Sequence, residues 1–312
     1  MIITPSPLTP LVSAKTITGR IALRILNGTR FILRKRLRQK ALRFLPVYNN
    51  KDISAPTIHM LICKRDCEMA MISAMILSCL KRKGHPFIFH DDGSIDDKTE
   101  ELFNRFLPCS QVIRKTQADE LVKEKFSDYP NILAFRQNQV LSMKLIDVPL
   151  WSENTRIGYM DSDILFFKYP FEYMRAFAAK NKKNLFNKDI KDAYVADRLS
   201  IENATGVTIP QKINSGLWVL NKTDFNFDKL ESWLKLPFFK SYLSDYRLEQ
   251  TFFAMLSGIS SSETSHLPGD YDVAFSKNPD NNICKHYVGR IRYGYELEGL
   301  KYIMDNGLID SF

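Results

Sequence analysis

Cysteine is scarce in this chain and forms no recognisable pattern. Five are scattered through 312 residues, at Cys63, Cys67, Cys79, Cys109 and Cys284. Cys63-x-x-x-Cys67 has no second pair to complete a zinc site, and an odd number argues against a disulfide framework. We read them as buried thiols of a reducing compartment. Long hydrophobic runs are also missing. The best stretch, residues 70–80, is interrupted by Ser73 and Ser78 and reads as a core helix, too short for a bilayer. No internal repeats are found. Acidic residues are absent from the first fifty positions, and Asp52 is the first of them.

That last absence divides the chain. Of its 44 Lys and Arg residues, ten lie in residues 1–50, so residues 51–312 hold 34 against 35 acidic side chains. The net charge of +9 therefore belongs to a basic N-terminal arm, residues 1–50, joined to a nearly neutral domain, residues 51–312. Contents of 45% hydrophobic and 25% charged residues suit a globular α/β domain of this length. Residues 1–14 are expected to be disordered. Residues 15–45 read as a helix in which Ile17, Ile21, Ile25, Phe31, Ile32 and Leu33 lie among arginines. Such a segment can lie on an anionic membrane surface, or it can be a solvated helix packed on the domain; both readings stay open. No apolar run follows the charges, so a signal peptide is not expected. No aromatic-rich reading surface accompanies them, so nucleic acid is not an expected partner. The expected location is cytoplasmic, on the inner face of a membrane if the arm binds one.

From residue 57 strands alternate with helices. Strands are expected at 57–63, 86–90, 111–114, 156–160 and 214–220. Helices are expected at 67–82, 97–106, 118–126, 133–146, 225–234 and 246–256. Asp66 is placed as the cap of the first of these helices, and Ser94 with Asp97 as a capping box for the second. The alternation implies a mainly parallel sheet covered on both faces, with ligands at the carboxyl ends of its strands.

Two acidic motifs fall at such ends. Asp161-Ser-Asp163 follows the strand Arg156–Met160 and precedes a second apolar run. Paired carboxylates there suit a hard divalent cation held against phosphate oxygens. A second Asp-x-Asp, Asp270-Tyr-Asp272, lacks that setting and is read as a chance copy. Asp91-Asp92-Gly93-Ser94 ends the strand before it, where a carboxylate can accept from a nucleobase imide or simply make a turn.

The order strand, helix, strand-Asp, Asp-x-Asp, Asn-Ser-Gly, Gln, His-x-x-Gly resembles the GT-A glycosyltransferases, and most of all glycosyltransferase family 8 and its relatives. Matching positions are Phe87–Ser94, Lys144-Leu145, Gly158–Phe166, Asn214–Asn221, Glu249-Gln250 and His286–Arg292. The basic arm lies outside the resemblance. The resemblance implies a GT-A fold and transfer of a sugar from a nucleotide-diphosphate donor, a UDP-sugar above all, to an acceptor hydroxyl with retention. It implies Asp161, Asp163 and His286 as ligands of Mn²⁺ or Mg²⁺. It places Lys144 and Arg292 (where the family has lysine) on the departing diphosphate, and Gly289 where backbone approaches a phosphate. Asp66, Asp92, Asp161, Asn214 and Ser215 are assigned to the nucleotide-sugar. Gln250 is expected to face the anomeric carbon, and Glu249 stands where the family has the shorter aspartate. Residues 179–212 are expected to shape the acceptor site; the acceptor itself, whether glycan, lipid or protein, stays open, and no catalytic base is named. Two alternatives are a nucleotidyltransferase, which would show a glycine-rich phosphate loop that residues 62–68 lack, and a non-catalytic membrane-surface binding module.

Overall fold

The computed structural model describes residues 17–178, 183–273 and 278–307. The expectation for residues 1–14 lies outside them. The elements run α1 (Ile17–Phe44), β1 (Ile58–Ile62), α2 (Cys67–Lys81), β2 (Phe87–Asp91), α3 (Asp97–Phe106), β3 (Gln111–Ile113), α4 (Lys115–Lys125), α5 (Pro130–Asn138), α6 (Met143–Trp151), β4 (Arg156–Met160), β5 (Ile164–Phe166), α7 (Phe171–Arg175), β6 (Asn184–Lys188) and α8 (Arg198–Thr205). They continue with β7 (Ile213–Asn221), α9 (Phe227–Lys235), α10 (Pro237–Lys240), α11 (Arg247–Ile259), β8 (Thr264–His266), β9 (Tyr271–Asp272), β10 (Cys284–His286), a π-helical turn at Tyr295–Leu300 and α12 (Lys301–Asp305).

The main sheet has the order β3-β2-β1-β4-β7-β6-β8. Strand β7 runs antiparallel to both neighbours, β4 and β6; the other pairs are parallel. Alternate residues of β4 and β7 serve opposite faces, as the two-residue period of a strand requires. Met160, Leu217 and Val219 join the core under α2, while Ile157, Tyr159, Trp218 and Leu220 join the core shared with α6, α9 and α11. Buried on both sides, these strands read in sequence as nearly unbroken apolar runs. A second, three-stranded sheet has the order β5-β10-β9. Its strands are two or three residues long, too short to show any period.

Three local expectations are corrected. The single helix expected over 133–146 is two, α5 and α6, separated by a 3₁₀ turn at Val140–Ser142. The break needs neither glycine nor proline. Gln139 is extended at φ −133 and its side chain accepts from Leu141 N–H, while Ser142 Oγ donates to the Gln139 carbonyl. Such side-chain bonds offer the backbone an alternative to the helix ladder. Asp66 does stand at the N-cap position of α2, but its side chain makes no capping bond; its carboxylate is taken by Arg65 and Arg292. For α3 the cap is Asp96, which accepts from Thr99 N–H, and not Ser94.

The second half of α1 is packed on the body of the protein. Ala41 and Leu45 are buried in the core beside α2. Arg34 and Arg38 both reach Glu296 of the π-helical turn, whose side chain is fully buried, and Arg38 also donates to Glu68. No described helix is long and apolar enough to cross a membrane.

Histidines add a pH constraint. His59, His85 and His90 are buried, and His59 Nδ1 lies 2.9 Å from His90 Nε2. Burial drives the His85 imidazole from 6.5 down to about 4 and His59 down to about 3, and it holds His90 well below 6.5. The folded chain thus keeps these rings neutral while the unfolded chain protonates near 6.5. Their contribution to stability is complete above that pH and is lost as pH falls through the interval down to about 4 for His85 and about 3 for His59, roughly 3 kcal/mol from His85 alone. We expect the urea midpoint to fall steadily from about pH 7 to about pH 5, and to fall less steeply in His85→Asn. A flat midpoint over that range in the wild type would contradict this account.

Candidate functional site

The site forms where β4 ends. Asp161 follows the last residue of β4 and its N–H donates to the Gly216 carbonyl on β7 at 2.7 Å. Ser162 turns the chain, its carbonyl accepting from Ser73 Oγ of α2 at 3.0 Å. Asp163 leads into β5, and its carbonyl accepts from Tyr287 N–H at 3.0 Å. Because β5 pairs antiparallel with β10 in the register Ile164 to His286, the imidazole arrives beside the Asp-x-Asp turn. His286 Nε2 is 3.1 Å from Asp163 Oδ1 and 3.5 Å from Asp161 Oδ2. One ligand atom from each of the three residues lies within 4.8 Å of the others, so together they can hold a metal ion. Of the second pair, Asp272 lies on β9 and Asp270 just before it, and neither is part of this group.

Two cations flank the carboxylates. Lys144 Nζ, from α6, is 2.9 Å from Asp161 Oδ1 and 3.8 Å from Glu249 Oε1. Burial works against its ammonium, but the carboxylates of Asp161 and Glu249 outweigh this and raise its pKa. On the other side Arg292 Nε donates to Asp163 Oδ2 at 3.1 Å, and its Nη1 is 3.0 Å from Asp66 Oδ2. Burial alone would raise the Asp163 carboxyl; His286, Arg292 and Lys144 reverse that and hold it below the usual range.

Glu249 and Gln250 lie on the first turn of α11, both buried. Glu249 Oε2 accepts from Ser215 Oγ at 2.9 Å, while Oε1 is buried without a hydrogen bond. Burial pushes this carboxyl from 4.5 up to about 7, against the pull of Lys144. Gln250 is tied at both ends: its carbonyl accepts from Ser215 N–H and its amide donates to the Ala193 carbonyl. Asn214, expected on sugar hydroxyls, has its Oδ1 2.9 Å from His286 Nδ1. Gly289 has φ +49 and begins a 3₁₀ turn, with nothing within 4 Å of where a Cβ would stand. Asp92 lies just past the end of β2, where its Oδ1 accepts from Ser94 N–H and Oγ. Its neighbour Asp91 is buried and spent on the backbone of Gly93, Ile95 and Lys115.

Sequence reasoning passed over two residues here. Tyr159, two positions before Asp161 and on the same side of the strand, donates its hydroxyl to Asp161 Oδ1 at 2.8 Å. Its period-two spacing was the available signal. Gly216 was noticed only as part of Asn-Ser-Gly. A Cβ there would lie 2.0 Å from His286 Cε1, 2.6 Å from Nδ1 and 2.8 Å from Asp161 Oδ2. Only glycine leaves room for the ring and the carboxylate together.

No family model matches the chain, and no curated protein is found similar to it. Solved structures are. The galactosyltransferase LgtC, in complex with donor and acceptor sugar analogs, superposes with a TM-score of 0.52 at 12% identity over 82% of this chain and 96% of that one. An active-site mutant of LgtC gives 0.51 at 12% identity over 80% and 96%. Mouse xyloside xylosyltransferase 1, apo form, gives 0.47 at 15% identity over 78% and 98%. The likeness to LgtC establishes the fold: a GT-A glycosyltransferase fold, as the resemblance implied. It favours neither alternative, the nucleotidyltransferase nor the binding module.

Gly216→Ala tests the geometry directly. The ring and carboxylate must part to admit the methyl, so Mn²⁺ affinity measured by titration calorimetry should drop by about 10-fold or more, with little change in far-ultraviolet circular dichroism. Unchanged affinity would mean that His286 is not a ligand.

Proposed function

We propose that the chain is a metal-dependent glycosyltransferase that moves a sugar from a nucleotide-diphosphate donor, a UDP-sugar, to an acceptor hydroxyl with retention of configuration. The observation that carries this reading is the cluster of Asp161, Asp163 and His286 at the end of β4, bracketed by Lys144 and Arg292. Carboxylate oxygens with one imidazole nitrogen fit Mn²⁺, and also Mg²⁺. A cation bound there supplies Lewis-acid stabilisation of charge on the diphosphate. The residues of the chain do the rest. Lys144 brings a fixed positive charge from the buried side and Arg292 a forked donor from the open side, both onto the departing diphosphate. Gly289 leaves space for phosphate to approach the backbone. Asp66 and Asp92, after β1 and β2, stand on the nucleotide side. Ser215, Glu249 and Gln250 form the wall against which the sugar is held. No side chain is assigned as base; the acceptor proton passes to the leaving phosphate oxygen.

In the Asp163→Asn variant a neutral amide replaces a ligand for a hard cation. Mn²⁺-dependent hydrolysis of UDP-sugars should fall by about 100-fold, and Asp272→Asn should leave it near wild type. Turnover by Asp163→Asn close to wild type, or an equal loss from Asp272→Asn, would overturn the reading.

The arm is proposed to meet an anionic membrane surface. What supports this is the sorting of its charges. Arg34 and Arg38 turn inward to acidic partners, whereas Lys35, Arg36, Lys40 and Arg43 are exposed beside exposed Ile32 and Phe44. Each such charge near the surface is worth about 1 kcal/mol. Replacing Lys35, Arg36, Lys40 and Arg43 together by glutamine should abolish sedimentation with phosphatidylserine vesicles at low salt and leave donor hydrolysis intact. Undiminished sedimentation, or sedimentation insensitive to salt, would reject the proposal.

A further inference from the structure

His286 does not meet the carboxylates by itself; a chain of hydrogen bonds, buried at the ring and part-buried at its far end, stands behind it. Its Nδ1 lies 2.9 Å from Asn214 Oδ1. The same Oδ1 accepts the backbone N–H of Gly216 at 3.1 Å. At the other end of the amide, Asn214 Nδ2 donates to Asp189 Oδ2 at 3.2 Å. Asp189 follows β6, and its own backbone N–H donates to the Lys212 carbonyl while its Oδ1 accepts from Ile190 N–H. Asn214 and His286 are both buried.

The orientation of the Asn214 amide is not arbitrary. A backbone N–H can only donate, so the atom facing Gly216 must be the carbonyl oxygen. An ionised carboxylate can only accept, so the atom facing Asp189 must be the NH₂. Two independent neighbours therefore set the same orientation, and it presents an acceptor to His286 Nδ1. A hydrogen then resides on Nδ1, which leaves Nε2, the nitrogen that faces Asp161 and Asp163, as the one to give up its hydrogen and ligate when a metal is bound. A histidine is a metal ligand only through a nitrogen without a hydrogen, and its other nitrogen needs a partner to fix tautomer and ring angle.

We propose that Asn214 and Asp189 are positioning residues of the metal site, with Asp189 orienting Asn214 and Asn214 holding His286 in the tautomer that ligates through Nε2. This rests on the metal-site reading above. It moves Asn214 from the sugar to the metal and brings in Asp189, a residue outside every motif of the chain.

The test uses Mn²⁺ alone as the probe, with titration calorimetry on the full chain. Asp189→Asn removes the obligate acceptor and frees the Asn214 amide to turn over; affinity should fall several-fold. Asn214→Asp sets two carboxylates face to face and should cost about 10- to 100-fold, the range typical of outer partners of a ligating histidine. The double variant Asp189→Asn with Asn214→Asp reverses donor and acceptor between the two positions. It still offers a carboxylate oxygen to Nδ1–H and to Gly216 N–H, so affinity should recover towards wild type. A merely structural pair predicts instead that melting temperature moves and the Mn²⁺ constant does not. As a second measurement, ¹⁵N-labelled protein loaded with diamagnetic Mg²⁺ should display a slowly exchanging His286 Nδ1–H that is lost in Asn214→Ala. If wild type binds Mn²⁺ and the single variants bind it equally well, the positioning proposal fails and the metal site stands. If wild type binds no Mn²⁺, the metal-site reading fails and carries this proposal with it.

Discussion

Two carboxylates on alternate residues of a tight turn repel each other, and Asp163 is buried besides. The surroundings of β4 offset that repulsion in layers. Lys144 is 2.9 Å from one carboxylate and Arg292 3.1 Å from the other. The Tyr159 hydroxyl donates to Asp161, and His286 stands between the two acids. Removing any one positive group leaves a buried or part-buried charge without its partner, which costs more than an exposed ion pair contributes. The arrangement therefore keeps one ligand atom of each acid and of the imidazole within 4.8 Å of one another, as a shared cation would require.

The fold supplies these groups from separate parts of the chain. Lys144 comes on α6, the acids on the β4–β5 turn, Glu249 on α11 and His286 on β10. What brings them together is the change of strand direction at β7. As an antiparallel neighbour of β4 it sets Gly216 opposite Asp161. The small β5-β10-β9 sheet then folds the C-terminal region back across the end of the main sheet. The π-helical turn that follows is held by Arg34 and Arg38 of α1 through Glu296, so the basic arm and the C-terminal side of the site share one ion-pair network.

Much of the frame was legible because buried central strands are apolar on both faces. Residues 156–160 were read with their observed limits, and 214–220 within one residue of theirs. What escaped were elements whose cause is not local. Strands β5, β9 and β10 are too short to carry a period and exist because of one another. The separation of α5 from α6 comes from Gln139 and Ser142 bonding to nearby backbone, which no breaker residue announces. At the site, the Asp pair is singled out by its setting and His286 by the family resemblance, and the structure brings them into one cluster. The partners that set their geometry are not, since Gly216 matters through a clash that a side chain would make and Asp189 through a bond to Asn214.

The departure of Glu249 from the shorter residue of the resemblance acquires a physical meaning from its neighbours. The extra methylene lets the carboxylate reach Ser215 Oγ while its second oxygen stays 3.8 Å from Lys144, buried and without a hydrogen bond. An orphaned carboxylate oxygen in a dry wall costs free energy unless something fills the gap. Gln250 beside it has spent both ends of its amide on backbone, and Asn214 is committed to His286 and Asp189. Of the polar groups expected along the sugar, Glu249 therefore keeps an acceptor oxygen uncommitted, and a hydroxyl donor placed against that oxygen would satisfy it. On the proposed sugar-binding reading, specificity would rest on which hydroxyl points into this wall, and on a carboxyl that burial raises to about 7 and Lys144 draws back towards ionisation.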